Sequence, residues 1–487
     1  MWISRFAASA ALLGCVAGVI APTARAAGAP DAAATAHLRL TGGGLSAQGP
    51  EPELAPAGDV NGDGLGDLLV GVPWADPLGR RDAGSAYVVF GRRTPARIDL
   101  GRLGAAGLHL AGRPARVPVE LDRRGVTGEA TGTAVASAGD VNGDGLADVA
   151  IGAPEASHDA GRLISGTVHV VFGRRAGGTI DLANLGAGGA HIDGPRAFDE
   201  FGDTLTGLTD ALAIGASGRV QVVPHAALTP GGTTDLGAPA APGHLITGYD
   251  EGDFNPFYAA APNPRRLTTA PDLNGDGRAE LLIGPGDEDV EGVSPDESPY
   301  ETAGFAVLGG GPADLARLGP LGLRLDGAGS STGEPLLSPG DAAGGRGADL
   351  LLRRVPRAAE EARWRGGATC VLLDPGAAQA RATGPGRRLR CLSSRRAWGT
   401  LAVPGDVDGD RRGDVAVVAG SLREGDETRH VELYAMHPRV RRLARLGGTR
   451  NLGGALSGAG DVDGDGRGDL ALTDRGEVLV VAARRLR

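Results

Sequence analysis

Oxygen-bearing side chains recur at fixed steps in five short stretches of this chain. The first runs Asp59, Asn61, Asp63, Asp67 at positions 1, 3, 5 and 9, with Leu65 at position 7. The second has Asp140, Asn142, Asp144, Leu146 and Asp148, and the third Asp272, Asn274, Asp276, Arg278 and Glu280. The fourth has Asp406, Asp408, Asp410, Arg412 and Asp414, and the fifth Asp461, Asp463, Asp465, Arg467 and Asp469. Short side chains at alternate positions of a tight turn converge on one point, and position 7 can add its carbonyl. Such hard-oxygen coordination suits Ca²⁺, whereas a flexible carboxylate loop does not impose the small octahedron of Mg²⁺. Glycine at position 6 permits the sharp turn; the fourth loop has Arg411 there, which makes its site the least secure.

A single copy would pass for a surface turn, but five copies, each followed by an apolar run, do not. The loops hold 17 carboxylates, and gathering three or four together without a cation is unfavourable. An EF-hand would place Glu at position 12 on a helix. Here position 12 is Val70, Ile151, Ile283, Val417 and Leu472, within runs such as Asp67–Pro73 and Asp148–Pro154. These read as buried strands, so each cation loop joins two strands of a hairpin.

The loops begin at 59, 140, 272, 406 and 461, which leaves room for hidden repeats. One is Phe201–Leu205 followed by Asp210–Gly215, with the loop deleted; the other is Pro339–Leu352, with its middle ligands lost. The result is seven repeats of about 65 residues, each read as four strands. In the second repeat these are Ala134–Ala138, Val149–Ile151, Gly166–Gly173 and Gly189–Asp193. Repeated four-stranded units predict an all-β, seven-bladed β-propeller over residues 37–487. Its core must be Val, Leu, Ile and Ala, because only 17 residues are aromatic. His37–Thr41 matches fourth strands such as Gly107–Leu110, while the chain ends on a third-type strand, Gly476–Val481. The N-terminal strand is therefore predicted to be the outer strand of the last blade and to close the ring.

Phe201-Gly202, the variants Thr131-Gly132 and Trp398-Gly399, the Gly71-Val-Pro73 and Gly152-Ala-Pro154 tripeptides and the acidic loops together resemble the FG-GAP repeat family. That family supplies the seven-bladed propeller at the head of integrin α subunits. The resemblance covers about residues 37–484 and implies calcium in the loops and an extracellular role in recognition or cell adhesion.

Residues 1–26 read as a secretory signal peptide: Arg5, an apolar run from Phe6 to Ile20, and Ala24-Arg25-Ala26 as cleavage site. The run is too short for a membrane anchor, and no later stretch is long enough. Leu12-Leu13-Gly14-Cys15 also resembles a lipobox, so a lipid anchor at Cys15 is the minority alternative. Residues 27–36 read as a short linker. The chain is predicted to be secreted, extracellular or at the cell surface. Export permits a disulfide between Cys370 and Cys391, which lie in strand-like runs; two buried free thiols are the equal alternative.

Glycine (84 of 487) and proline (32) argue against a helical bundle. A net charge of −10 without any Lys argues against nucleic acid or anionic membrane as partner. The inserts Gly112–Thr131, Gly248–Arg266 and Gly286–Thr302 are expected on the face opposite the cation loops. Tyr249, Phe254, Phe257, Tyr258 and Tyr300 fall in the last two, among many acids, and Trp74 belongs to the same face. They suit a protein or glycan ligand, or else pack as local cores. Two Arg-Gly-Asp triplets, Arg412–Asp414 and Arg467–Asp469, are not read as adhesion ligands, because their Asp is the ninth loop position.

No HExxH, GxSxG, CxxC or P-loop is present, and His158, His169, His191, His225 and His244 are scattered, so no catalytic residue is assigned. The expected function is a calcium-binding recognition or adhesion module. The alternatives are a metal-dependent hydrolase and a purely structural wall protein.

Overall fold

A computed structural model describes residues 29–47, 49–119, 126–159, 161–247, 267–284, 303–308, 311–318, 321–326, 337–342, 348–354, 368–372, 389–391, 397–420, 429–437, 439–449 and 451–486. The described residues are all-β apart from short helical turns. Hairpins form where the acidic loops predicted them: Glu53–Gly58 pairs with Asp67–Val72, and Val135–Gly139 with Asp148–Ala153. The hidden repeats also form hairpins, Leu205–Gly207 with Ala211–Ala216 and Leu337–Gly340 with Asp349–Arg354. In the first two loop-bearing sheets the second strand is buried at every residue, because sheets pack on both of its faces.

The first strands neighbour one another in a closed cycle. Glu53–Gly58 lies beside Val135–Gly139, followed by Leu205–Gly207, Leu267–Ala270, Leu337–Gly340, Ala397–Gly405 and Leu456–Gly460, which returns to Glu53–Gly58. Apolar clusters fill the spaces between sheets. One joins Leu38, Leu40 and Val480 to Leu68, Val70 and Tyr87. The next joins Leu69, Val88 and Leu108 to Val149, Ile151 and Val171. The core is Val, Leu, Ile and Ala with few rings, Phe201 being the largest side chain fully enclosed.

The expectation of seven four-stranded blades is not met. Among the described residues three sheets have four strands and four have five, and Pro114–Val119 with Val126–Gly128 makes a separate two-stranded ribbon. The fifth strand is always parallel to the fourth and comes from the next repeat. Ala96–Asp99 adds to Leu38–Thr41, Gly178–Asp181 to Gly107–Ala111, Thr233–Asp235 to Gly189–Asp193, and Ala313–Asp314 to His244–Thr247. Three of the donated strands end on an Asp that caps the following turn: Asp99 accepts from Gly101 N–H, Asp181 from Ala183 N–H and Asp235 from Gly237 N–H. Arginines fasten two of them. Arg80 forks onto Asp181 at 2.6 and 2.8 Å, and Arg162 reaches Asp235 at 2.7 Å.

Leu38–Thr41 pairs antiparallel with Glu477–Val481, as the strand match predicted, and Arg39 is ion-paired with Glu477. It is not the outermost strand, because Ala96–Asp99 lies beyond it. The preceding residues, read as linker, include the helical turn Ala32–Thr35, which Asp31 caps and whose Ala32 is buried. Residues 1–26, with Cys15, lie outside the described residues. No helix among the described residues is long and apolar enough to cross a membrane.

Deleting the chain through Thr41 would bare one edge of Glu477–Val481 and empty part of the core around Leu38 and Leu40. The truncated protein is expected to melt at a lower temperature and to aggregate, as read by calorimetry and size exclusion; unchanged melting would refute the closure.

Candidate metal loops

Each loop is shaped by its own carboxylates. In the first, Asp59 Oδ1 accepts from the N–H of Gly62 (2.7 Å) and Asp63 (3.0 Å), and Oδ2 from that of Gly64 (2.8 Å). Asn61 Oδ1 accepts from Asp63 N–H, and Asp63 Oδ1 from Leu65 N–H. The bonds recur at Asp140, Asp272 and Asp406, and most of them at Asp461. Position 6 lies in the left-handed region in all five loops: Gly64, Gly145, Gly277 and Gly466 at φ 80 to 84°, and Arg411 at 67°.

Position 9 is the buried member. Asp67, Asp148, Asp414, Asp469 and Glu280 are each at most 1% exposed. Asp67 accepts from Val60 N–H and Gly91 N–H, both at 2.8 Å, which pins the loop to the end of the third strand. Asp148 does so with Val141 and Gly173, and Asp469 with Val462 and Ala483. Burial pushes Asp67, Asp414 and Asp469 up to about 7, against the pull of these backbone bonds, and the neighbouring loop acids push the same way. Glu280 is also raised to about 7, mainly by burial. The Asp of both Arg-Gly-Asp triplets is thus enclosed and bonded to backbone.

Among the described residues, three loops bring three carboxylates within 4.8 Å of one another. The trios are Asp272, Asp276 and Glu280; Asp406, Asp408 and Asp414; and Asp461, Asp463 and Asp465. Asp463 Oδ2 has Arg484 Nε 2.7 Å away as an ion pair, whereas the buried Glu280 Oε1 has no hydrogen-bond partner. A cation is what such an oxygen lacks, so the donor set fits a hard metal ion. The position 7 residues Leu65, Leu146, Arg278, Arg412 and Arg467 each donate their N–H to position 5.

Neighbouring loops are tied together. Gly66 N–H donates to Asp461 O (2.8 Å), Ala147 N–H to Asp59 O (3.0 Å) and Gly468 N–H to Asp406 O (2.8 Å). The loops at 406, 461, 59 and 140 thus form one hydrogen-bonded series.

Trp74 follows the second strand of its sheet, at the end away from the loop, and is 44% exposed. Tyr249, Phe254, Phe257, Tyr258 and Tyr300 lie outside the described residues. Ala368–Leu372 pairs with Leu389–Cys391, and the register sets Cys370 opposite Cys391. Sequence spacing missed a buried polar cluster. His169 and His191, 22 residues apart, face each other across paired strands with their Nδ1 atoms 2.8 Å apart. Arg113 bonds the enclosed Glu129 beside them at 2.9 Å. The sequence signal was the alternation of His169 with Val168 and Val170 in a strand-like run.

A model of the FG-GAP repeat matches residues 53–89 and 131–171, within the first two loop-bearing sheets. The chain is 32% identical over 184 residues to phosphatidylinositol-glycan-specific phospholipase D of Mus musculus, covering 37% of this chain and 18% of that protein. It is 29% identical over 154 residues to integrin alpha-4 of Xenopus laevis (32% and 12% covered). It is 31% identical over 176 residues to integrin alpha-PS2 of Drosophila melanogaster (34% and 11% covered). It spans less than a fifth of each of these relatives. The matches support an FG-GAP, integrin-alpha-like β-propeller fold family.

Asp67→Asn would set an amide NH₂ against one of two buried backbone N–H groups. It is expected to destabilise by about 2 kcal/mol in chelator, measured by urea unfolding. Arg411→Gly relieves a left-handed non-glycine residue and is expected to add about 1 kcal/mol by the same measurement.

Proposed function

We propose that this chain is a calcium-stabilised propeller serving as an extracellular recognition or adhesion module. The observation that carries the reading is the set of five acidic loops at hairpin tips, with the buried Glu280 Oε1 left without a hydrogen-bond partner. Positions 1, 3, 5 and 9 would hold the ion, with the position 7 carbonyl completing the shell. Bound there, Ca²⁺ would neutralise the crowded acids and so fix the hairpin tips. The residues themselves supply the frame: position 1 folds the turn, and in the loops at 59, 140 and 461 position 9 anchors it to the end of the third strand.

The similarity to integrin alpha chains supports the recognition role, and the face opposite the loops, where Trp74 is exposed, is assigned to an extracellular protein or glycan. No catalytic residue is proposed. Export would also put Cys370 and Cys391, opposite each other in register, where they can oxidise to a cross-strand disulfide.

The test is metal counting with thermal unfolding in excess Ca²⁺ and in chelator. About five ions are expected, and each site held at a hundredfold its Kd adds about 2.7 kcal/mol of stability. Identical melting in the two conditions and no retained metal would sink the calcium reading. Turnover of an ester or phosphodiester by the purified chain would instead favour a hydrolase.

A further inference from the structure

Position 3 divides the loops into two kinds. In those beginning at 59, 140 and 272 it is Asn, and its Nδ2 donates to the second oxygen of position 5. The distances are 3.0 Å from Asn61 to Asp63, 2.9 Å from Asn142 to Asp144 and 3.1 Å from Asn274 to Asp276. In the loops beginning at 406 and 461 position 3 is Asp, which has no proton to give. An arginine from outside the loop meets it in both. Arg441 Nη2 donates to Asp408 Oδ2 at 2.8 Å. Arg484 Nε lies 2.7 Å from Asp463 Oδ2, out of line for a hydrogen bond, so that contact is an ion pair.

The two arginines have different origins. Arg441 opens the fourth strand of its sheet, Arg441–Gly447, whereas Arg484 sits in the turn Ala483–Arg485 after the third strand of the last repeat. A shared repeat position therefore does not account for the coincidence, but charge does. The Asn loops present three acidic side chains and the Asp loops four, and in each Asp loop the outside arginine meets the added acid. The need is greatest at Asp463, whose side chain is fully enclosed while half of Arg484 stays in solvent.

We propose that Arg441 and Arg484 are positioning residues that offset the fourth carboxylate of these two metal loops, holding the empty loop and setting its affinity for the ion. The proposal rests on the calcium reading above. An arginine beside a ligand carboxylate stabilises the metal-free site and repels the arriving dication. Removing it must shift the two states in opposite directions.

The experiment uses the full chain and Ca²⁺ alone, comparing wild type with Arg484→Gln, Arg484→Lys, Asp463→Asn and the double variant Arg484→Gln/Asp463→Asn. Arg484→Gln is expected to lower Tm in chelator and to tighten one class of calcium site about tenfold by calorimetry, widening the Tm gap between Ca²⁺ and chelator. Arg484→Lys keeps the charge and should stay near wild type. Asp463→Asn alone leaves an uncompensated arginine and should weaken that site. The double variant reproduces the balance of the Asn loops and should regain both properties. If Arg484→Gln lowers Tm equally with and without calcium and leaves affinity unchanged, Arg484 is only a structural ion pair and the proposal falls while the calcium reading stands. A wild-type chain that binds no calcium overturns both.

Discussion

The molecule is organised around crowded negative charge at its hairpin tips and the backbone N–H groups that answer it. A carboxylate at position 1 takes three N–H groups of its own turn, which folds the loop tightly enough for positions 3 and 5 to approach. The acid at position 9 is buried, yet it is no stray charge: it joins the loop to the end of the third strand. The groups that would grip an ion are thus the same groups that set the local backbone. Stability and metal affinity therefore cannot be tuned separately at these positions.

The ring spreads this local arrangement. The loops at 406, 461, 59 and 140 are bonded to one another through the backbone, so disturbance at one tip reaches the next. The loop at 272 stands apart, because its neighbours in the ring are the two hairpins without a full acidic loop. Its Ala279 N–H meets Thr209 Oγ1 at 3.3 Å instead.

What was legible in the sequence was local and repeated. Asp-x-Asn-x-Asp or Asp-x-Asp-x-Asp followed by an apolar run marked five hairpins, and the frame survived well enough at Asp210–Gly215 and Asp349–Leu352 to expose two repeats without intact loops. The match of His37–Thr41 to other fourth strands found the ring closure. The fifth strands were missed, although Ile98-Asp99-Leu100 and Ile180-Asp181-Leu182 are themselves a repeat. They are short, they sit in what reads as a connection, and their partner belongs to the preceding sheet. The meeting of His169 with His191 and Glu129 was hidden because cross-strand register, not spacing along the chain, brings those rings together. The arginines facing Asp408 and Asp463 were hidden for the same reason.

The pairing of Leu38–Thr41 with Glu477–Val481 also bears on when the molecule can be finished. Leu38–Thr41 gains Ala96–Asp99 early on one side, but its other edge has no neighbour until Glu477–Val481 has been made. For the whole of its synthesis the chain carries one apolar edge waiting for a partner more than four hundred residues downstream. The emerging chain is an open arc until Glu477–Val481 can pair with Leu38–Thr41 and make it a circle. A product that stops short anywhere before residue 477 therefore cannot bury Leu38 and Leu40 as this chain does.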